Sequence, residues 1–350
     1  MKIINQHLAK QLIKGASILT TGGGVPPVEQ RKALKIFTNL QVKLVSLDEL
    51  PADGYLCMAG ELGPSEVPPL DKRKIINKMI KLLSEISAKK IVGFYPPEIG
   101  QESVTLESAH LTGLPVVDLD PVGGRAVPFL DLSVFNLRKI PYSLTPLVVS
   151  TDKEELLTIN GTLKLERVEQ MVRELTKLSS SGLVFLIGGL ISVEQLKKAK
   201  IENNSYSLAL QLGTIKTIEE LKTHLKPRLI IEAVVQKITR LDKQGFSASK
   251  VIVLDRIKNS YQLTILNEAL FIHNQQGDII ASVPERILLV NPQTLGGFPS
   301  SELDKGQAVI ILVVRPDKLW QTARAKKIFG KERFSFLLSP TKHGEKIPRA

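Results

Sequence analysis

The spacing of apolar residues changes character once along this 350-residue chain, near Pro227, and that switch constrains the fold more than any other feature. Before it, two periods alternate. NQHLAKQLIKGASIL (5–19), DKRKIINKMIKLLSEISAKK (71–90), QESVTLESAHLTG (101–113) and KLERVEQMVRELTKLSSSG (164–182) carry apolar residues at helical spacing. PPVEQRKALKIF (26–37) opens with proline and places Glu29 in its first turn, and Ser192 opens SVEQLKKAK; both are helix-start signals. Between these lie the short apolar runs VKLVSL, YLCMAG, KIVGFYPP, LPVVDLD and LVFLIGG, which read as strands. Strands separated by helices imply a largely parallel sheet covered on both faces. After the switch, RLIIEAVVQKITRL, SASKVIVLD, YQLTILN, IIASV, RILLV and QAVIILVV follow one another with only turn signals between them. Consecutive strands without helices require antiparallel pairing. The chain thus reads as an α/β N-terminal domain with a largely parallel sheet over residues 1–225, an all-β, sandwich or barrel-like C-terminal domain over 226–340, and a polar tail at 341–350.

Charge and cysteine usage narrow the function classes. Lys and Arg exceed Asp and Glu by 47 to 35, a net charge of +12. Nucleic acid is the obvious acidic partner for such a chain. However, the lysines are spread over amphipathic helices such as 71–90, and aromatic residues make up only 5 %, too few for a base-stacking platform. Arg324, Lys326, Lys327, Lys331 and Arg333 form the densest local basic cluster. A lysine-rich surface accounts for the charge, and nucleic acid is not an expected partner. The single cysteine, Cys57, lies in a strand-like apolar run and reads as a core thiol; it permits no internal disulfide. The five histidines are scattered without metal-ligand spacing. The most apolar run, GLVFLIGGLI (182–191), is too short to cross a bilayer, so no membrane association and a cytoplasmic location are expected. Association between identical copies is left open by the sequence.

Four stretches could carry chemistry. TTGGGVPP (20–27) sets Gly22, Gly23 and Gly24 beside two prolines. It lacks the lysine of a phosphate loop, and Pro26 and Pro27 remove N–H donors where a phosphate would sit. A tight turn, or a backbone-lined wall for a small polar molecule, fits better. FYPPEIGQES (94–103) puts Glu98 at the C-terminal end of a strand, where ligands gather in open α/β sheets; a first-turn helix acid is the other reading. PVVDLDPVGGRAVP (115–128) holds Asp118 and Asp120, which in extended backbone share a side and could act as acid and base or hold a cation. Arg125 follows two glycines and could clamp a substrate carboxylate or close the loop through an Asp–Arg pair. ILNEAL (265–270) carries Asn267 and Glu268, which local pattern reads as exposed turn residues. No organic-cofactor motif is present, and a metal ion at Asp118 and Asp120 has no further ligand in the pattern to support it.

Taken in order, GASILTTGGG, VSLDELP, PPEIGQES, GLPVVDLD with GGRAVP, YSLALQLG, ILNEAL, ASVPERILLV and a late LW followed by FG resemble the S-methyl-thiohydantoin desulfurase-like family, whose members occur beside hydantoinase/oxoprolinase subunits. The likeness runs from about residue 5 to residue 334. It implies hydrolytic loss of a sulfur substituent from a hydantoin-like ring, a small cyclic amide substrate and a hydantoinase/oxoprolinase-type partner. On that implication Asp118 or Asp120 is the base, Glu98 the acid or ring-nitrogen acceptor, and Arg125 the orienting cation, with the Gly22–Gly24 backbone, Asn267 and Glu268 binding substrate. A non-catalytic small-molecule-binding or hydantoinase-accessory protein is the alternative. The chain departs from the family's pattern at Val25, where a further glycine is usual, at Gln101 after Gly100, and at Phe129, where an acid is usual.

Overall fold

The computed structural model describes residues 1–64, 70–199, 201, 204–243 and 246–337; the expected polar tail lies outside them. The first eight strands are β1 (Lys2–Ile4), β2 (Val42–Val45), β3 (Tyr55–Leu62), β4 (Ile91–Tyr95), β5 (Val116–Val117), β6 (Leu147–Ser150), β7 (Leu156–Ile159) and β8 (Val184–Ser192). They form one sheet in the order β1-β2-β5-β4-β3-β8-β6-β7. Strands β2, β5, β4 and β3 run parallel, in register Leu44 with Val116 and Leu56 with Gly93. Antiparallel strands extend this parallel block at both ends. The expected α/β domain is therefore present, built around its parallel block.

Among the described residues ten α-helices connect and cover the strands: α1 (Gln6–Leu19), α2 (Pro27–Lys35), α3 (Ile76–Ser87), α4 (Glu102–Thr112), α5 (Leu130–Ser133), α6 (Leu165–Leu175), α7 (Val193–Ala199), α8 (Ser205–Thr214), α9 (Ile218–Leu225) and α10 (Ala323–Ile328). Helix α1 starts where the Asn5 side chain accepts the Leu8 N–H (3.0 Å), and α4 stops where Gly113 takes a left-handed turn. The apolar faces of α1, α3, α4, α8 and α9 enter one core, while α6 and α7 cover the other face of the sheet. No helix among the described residues is long and apolar enough to cross a membrane.

The second sheet begins at β9 (Leu229–Lys243) and continues through β10 (Phe246–Asp255), β11 (Ser260–Leu266), β12 (Glu268–His273), β13 (Ile279–Ser282), β14 (Arg286–Val290) and β15 (Ala308–Val314). It is antiparallel throughout, in the order β13-β12-β11-β10-β9-β15-β14. The sheet curls into a half-barrel, so that β12 packs against β14 across the opening. This is the all-β domain that the strand-only pattern predicts. Two features join the domains. Helix α1 shares its core with Leu288, Val290 and Leu312 of the second sheet. The loop at 122–132 packs against Trp320, Phe329 and Phe334, and Trp320 donates its indole N–H to the Val122 carbonyl (2.6 Å).

One expected strand is nearly absent. LPVVDLD forms only the two-residue β5. Past Val117 the Leu119 N–H turns back onto the Val117 carbonyl (2.7 Å), a three-residue turn that ends extended geometry at Asp118. The helix expected from residue 71 also starts later, at Ile76.

Candidate active site at the domain junction

The glycine run follows directly on α1. Thr21, Gly22 and Gly24 all have left-handed backbone, at φ 57°, 97° and 75°. The loop's polar groups are used within the protein. Val25 N–H donates to the Gly100 carbonyl (2.8 Å), Ala269 N–H to Thr21 (2.8 Å) and Ser300 N–H to Gly22 (2.7 Å). Two of these bonds tie the loop to the other domain and the third ties it to the β4–α4 loop, so it is a junction rather than an anion cradle. Two positions explain why side chains are missing there. A Cβ on Gly23 would lie 2.1 Å from Oε1 of Glu268, and a Cβ on Gly24 would lie 2.8 Å from the Gly100 backbone.

Around this tie lies a cleft with about 110 Å³ of interior space. It opens at the C-terminal ends of β3 and β4, where ligands bind in sheets of this kind, and the β11–β12 corner closes it. Gly24, Glu98, Asn267 and Glu268 are on its wall, joined by Glu61, Gln101 and Arg173. Val25, Gln101 and Phe129, the positions that depart from the pattern, lie on the same wall.

Glu98 projects from the β4–α4 loop. Its Oε2 accepts the Val127 N–H (2.9 Å), yet part of the side chain still faces the cleft. Burial dominates its protonation and, with the charges of Asp120 and Glu102, raises it to about 8, against the pull of Val127 and Gln101. Glu268 is 2 % exposed, and its Oε2 has no hydrogen-bond partner among the described residues. Burial first, then the charge of Glu98, holds it well above the carboxylate range, while Arg125 and Arg173 pull it down. The cleft therefore contains two carboxyl groups that resist ionisation, and they cannot both ionise cheaply.

The other expected residues lie elsewhere. Asp118 accepts the Tyr206 N–H (2.9 Å), the Ser207 N–H (3.1 Å) and the Ser207 hydroxyl, so it caps α8. Asp120 accepts the N–H groups of Val122, Gly123 and Gly124 and the Ser205 hydroxyl (2.8 Å), which folds the loop at 120–124. Burial raises Asp120 to about 6 despite those donors. The turn at Asp118 replaces the extended backbone that would have aimed both carboxylates at one ligand. Neither lines the cleft. Arg125 is buried behind it, 4.4 Å above the Phe329 ring, and donates to the Pro284 carbonyl (2.6 Å) instead of an aspartate. Burial lowers it to about 9, with the nearby Glu268 holding it up. It acts on the cleft as a buried positive charge.

Gly22 packs on Leu289 and Ser300, and Gly23 lies beneath Glu268. Asn267, expected exposed, is a left-handed corner (φ 57°) whose amide oxygen accepts the Ser247 N–H (2.8 Å). Glu268, also expected exposed, is buried because the glycine loop of the other domain covers it.

Two cleft residues, Arg173 and Glu61, escape the sequence reading, and a third, Gln101, enters it only as a departure from the family's pattern. Arg173 lies on α6, held by Glu169 (2.7 Å) and stacked 4.1 Å over Phe246. Its helix reads as an ordinary amphipathic one, and nothing local signals the cleft. Gln101 fixes the C-terminal end of β3 by accepting the Glu61 N–H (2.7 Å). Glu61 ends the apolar run of β3, and a lone acid closing a buried strand at its C-terminal end is the signal that could have found it.

The comparisons with known proteins agree with this two-domain construction. Two family models, S-Me-THD-like N-terminal domain and S-Me-THD-like C-terminal domain, match residues 8–161 and 164–342. The chain belongs to the S-methyl-thiohydantoin desulfurase-like family. A crystal structure of a protein from Chromobacterium violaceum superimposes with a TM-score of 0.76 at 20 % identity, over 96 % of this chain and 97 % of that one, and so shares the fold. No curated protein matches. The boundary between the family domains precedes β8, so the C-terminal unit supplies a strand to the first sheet. The cleft likewise draws Gly24 and Glu98 from one unit and Arg173 and Glu268 from the other.

Proposed function

We propose that the protein is a hydrolase of thiohydantoin-type cyclic amides that releases the sulfur substituent from the ring. The observation that carries this reading is the pair Glu98 and Glu268 in one cleft, both raised by burial. Two interacting carboxyl groups that do not both ionise cheaply can share the work as one base and one acid. Water adds to the ring carbon between the two nitrogens while Glu98, in the ionised form that grows as pH rises towards 8, takes its proton. The C–S bond then breaks, and protonated Glu268 supplies the proton to the leaving thiolate. The second water hydrogen passes to the ring nitrogen as the carbonyl forms, and Glu98 returns its proton to Glu268, so that water's two hydrogens are accounted for by the thiol and the ring nitrogen and both carboxyls regain their starting states; nothing is oxidised or reduced. Arg173 supplies positive charge to a ring carbonyl from the opposite wall. No group of three or more His, Cys, Asp or Glu among the described residues is placed to hold a metal ion. The cyclic amide product is what a ring-opening hydrolase would consume, consistent with a hydantoinase/oxoprolinase-type partner.

The test is an assay of the purified protein with S-methyl-thiohydantoins, following free thiol and hydantoin together. We expect both in equal amounts, with Asp118→Asn turning over within a few-fold of the native chain. Tight binding of the ring without thiol release would make the protein a binding module instead. Loss of turnover in a folded Asp118→Asn variant would return the base to the aspartates.

A further inference from the structure

The reaction above uses the polar wall of the cleft and leaves its floor without a role. Glu98 and Glu268 reach the cleft from the β4–α4 loop and the β11–β12 corner, whereas the floor is made by strands β3 and β8. Along β3, Met58, Gly60 and Leu62 alternate with Cys57 and Ala59, so the two sets face opposite sides of the sheet. Met58 and Leu62 share with Leu186 the core beneath α6 and α7, and all three line the cleft. Leu186 stands opposite Gly60 in the strand register. Gly60 therefore leaves a gap in an otherwise apolar floor. A Cβ built there would lie 3.0 Å from Pro97 Cγ and 3.2 Å from Gln101 Oε1, two atoms of cleft-lining residues. Its backbone is that of an ordinary strand, so conformation does not call for glycine here; the missing side chain is space. Arg173, the cation on the cleft wall, is already paired with Glu169 (2.7 Å).

We infer that this floor seats an alkyl group on the saturated carbon of the ring, with Gly60 as the specificity-determining position, so that the preferred ligand is a cyclic amide of the kind an apolar amino acid forms. The inference rests on the cyclic-amide reading of the cleft and names a feature of that substrate. The saturated ring carbon is not bonded to the carbon that water attacks, so a group on it points away from the reacting end. With the reacting carbon held at the two carboxyl groups, that group is left for apolar surface, where each buried methylene strengthens binding about fourfold. A carboxylate on the same carbon would instead lose its water without gaining a partner.

The experiment measures binding of hydantoin, and of its isopropyl and carboxymethyl derivatives at the saturated carbon, by calorimetry, to the native chain and to Gly60→Ala. The native chain should favour the isopropyl ring over hydantoin by on the order of 10-fold to 10²-fold, and should bind the carboxymethyl ring more weakly than either. Gly60→Ala should lose most of the isopropyl preference while binding hydantoin within a few-fold of the native chain, because the new methyl takes the place of the substituent and not of the ring. Equal binding of hydantoin and the isopropyl ring by the native chain, or tightest binding of the carboxymethyl ring, overturns the inference alone and needs no variant to fold. An unchanged preference in folded Gly60→Ala overturns it equally. Failure of the native chain to bind any of the three rings overturns the cyclic-amide reading itself.

Discussion

Glu98→Gln yields a folded protein whose turnover of a thiohydantoin falls by on the order of 10³-fold, and which is more stable than the native chain above neutral pH. Both effects have one cause. Glutamine keeps an oxygen for the Val127 N–H but cannot take a proton from water. The stability effect follows from linkage. The ordinary glutamate ionises near 4.5, whereas burial raises folded Glu98 to about 8. Between those values the folded chain holds a proton that the unfolded chain has released. Its contribution is therefore complete below the lower value and is lost as pH rises through the upper one. The native chain loses this contribution on the alkaline side, and glutamine has none to lose. The stability gap between the variant and the native chain should widen from pH 5 to pH 8, reaching on the order of 1–3 kcal/mol. Urea unfolding at stepped pH values measures it. A variant less stable than the native chain at every pH would show that Glu98 is a structural acid.

Gly24→Ala removes both activity and stability. At φ 75° a side chain is strained, and the new methyl would meet the Gly100 Cα and carbonyl at 2.8 Å. Those are backbone atoms and cannot swing aside. Gly100 is itself left-handed (φ 108°), and its carbonyl accepts the Val25 N–H, so separating the loops breaks that bond and shifts the segment that carries Glu98. A loss of about 2–4 kcal/mol is expected. Gly277→Ala is the control. Its φ is 87°, but the space around it is open, so only the strain of about 1 kcal/mol applies. Equal losses at the two sites would mean that the contact with Gly100 carries no weight.

The two-domain plan was legible because it depends on local period: helical spacing alternating with short runs, then short runs alone. The meaning of the glycine run was half legible. Its sequence argued for close approach and against phosphate, but what approaches Gly23 is Glu268, which belongs to the other domain. For the same reason ILNEAL looked exposed. Burial of Glu268 is set by a loop far away in sequence, and no local pattern records that. The aspartates failed differently. Reading Asp118 and Asp120 as a pair assumed extended backbone, and one hydrogen bond between Leu119 and Val117 cancels that assumption. Arg173 was invisible because its ion pair with Glu169 is the i, i+4 pair of any surface helix, and only the fold shows that this helix borders the cleft.

Glu98 and Glu268 share the cleft as two carboxyl groups that burial holds above the ordinary glutamate range. This can be tested without a substrate, by carbon-detected NMR titration of glutamate-labelled protein, with Glu98→Gln and Glu268→Gln used to assign the two signals. Glu102, buried outside the cleft wall and raised to about 7, serves as an internal comparison. The Glu98 carboxyl should titrate near pH 8 and Glu268 well above the ordinary glutamate range, and removing Glu98 should lower the Glu268 midpoint by relieving its charge. Ordinary glutamate midpoints for both, unmoved by either substitution, would contradict this.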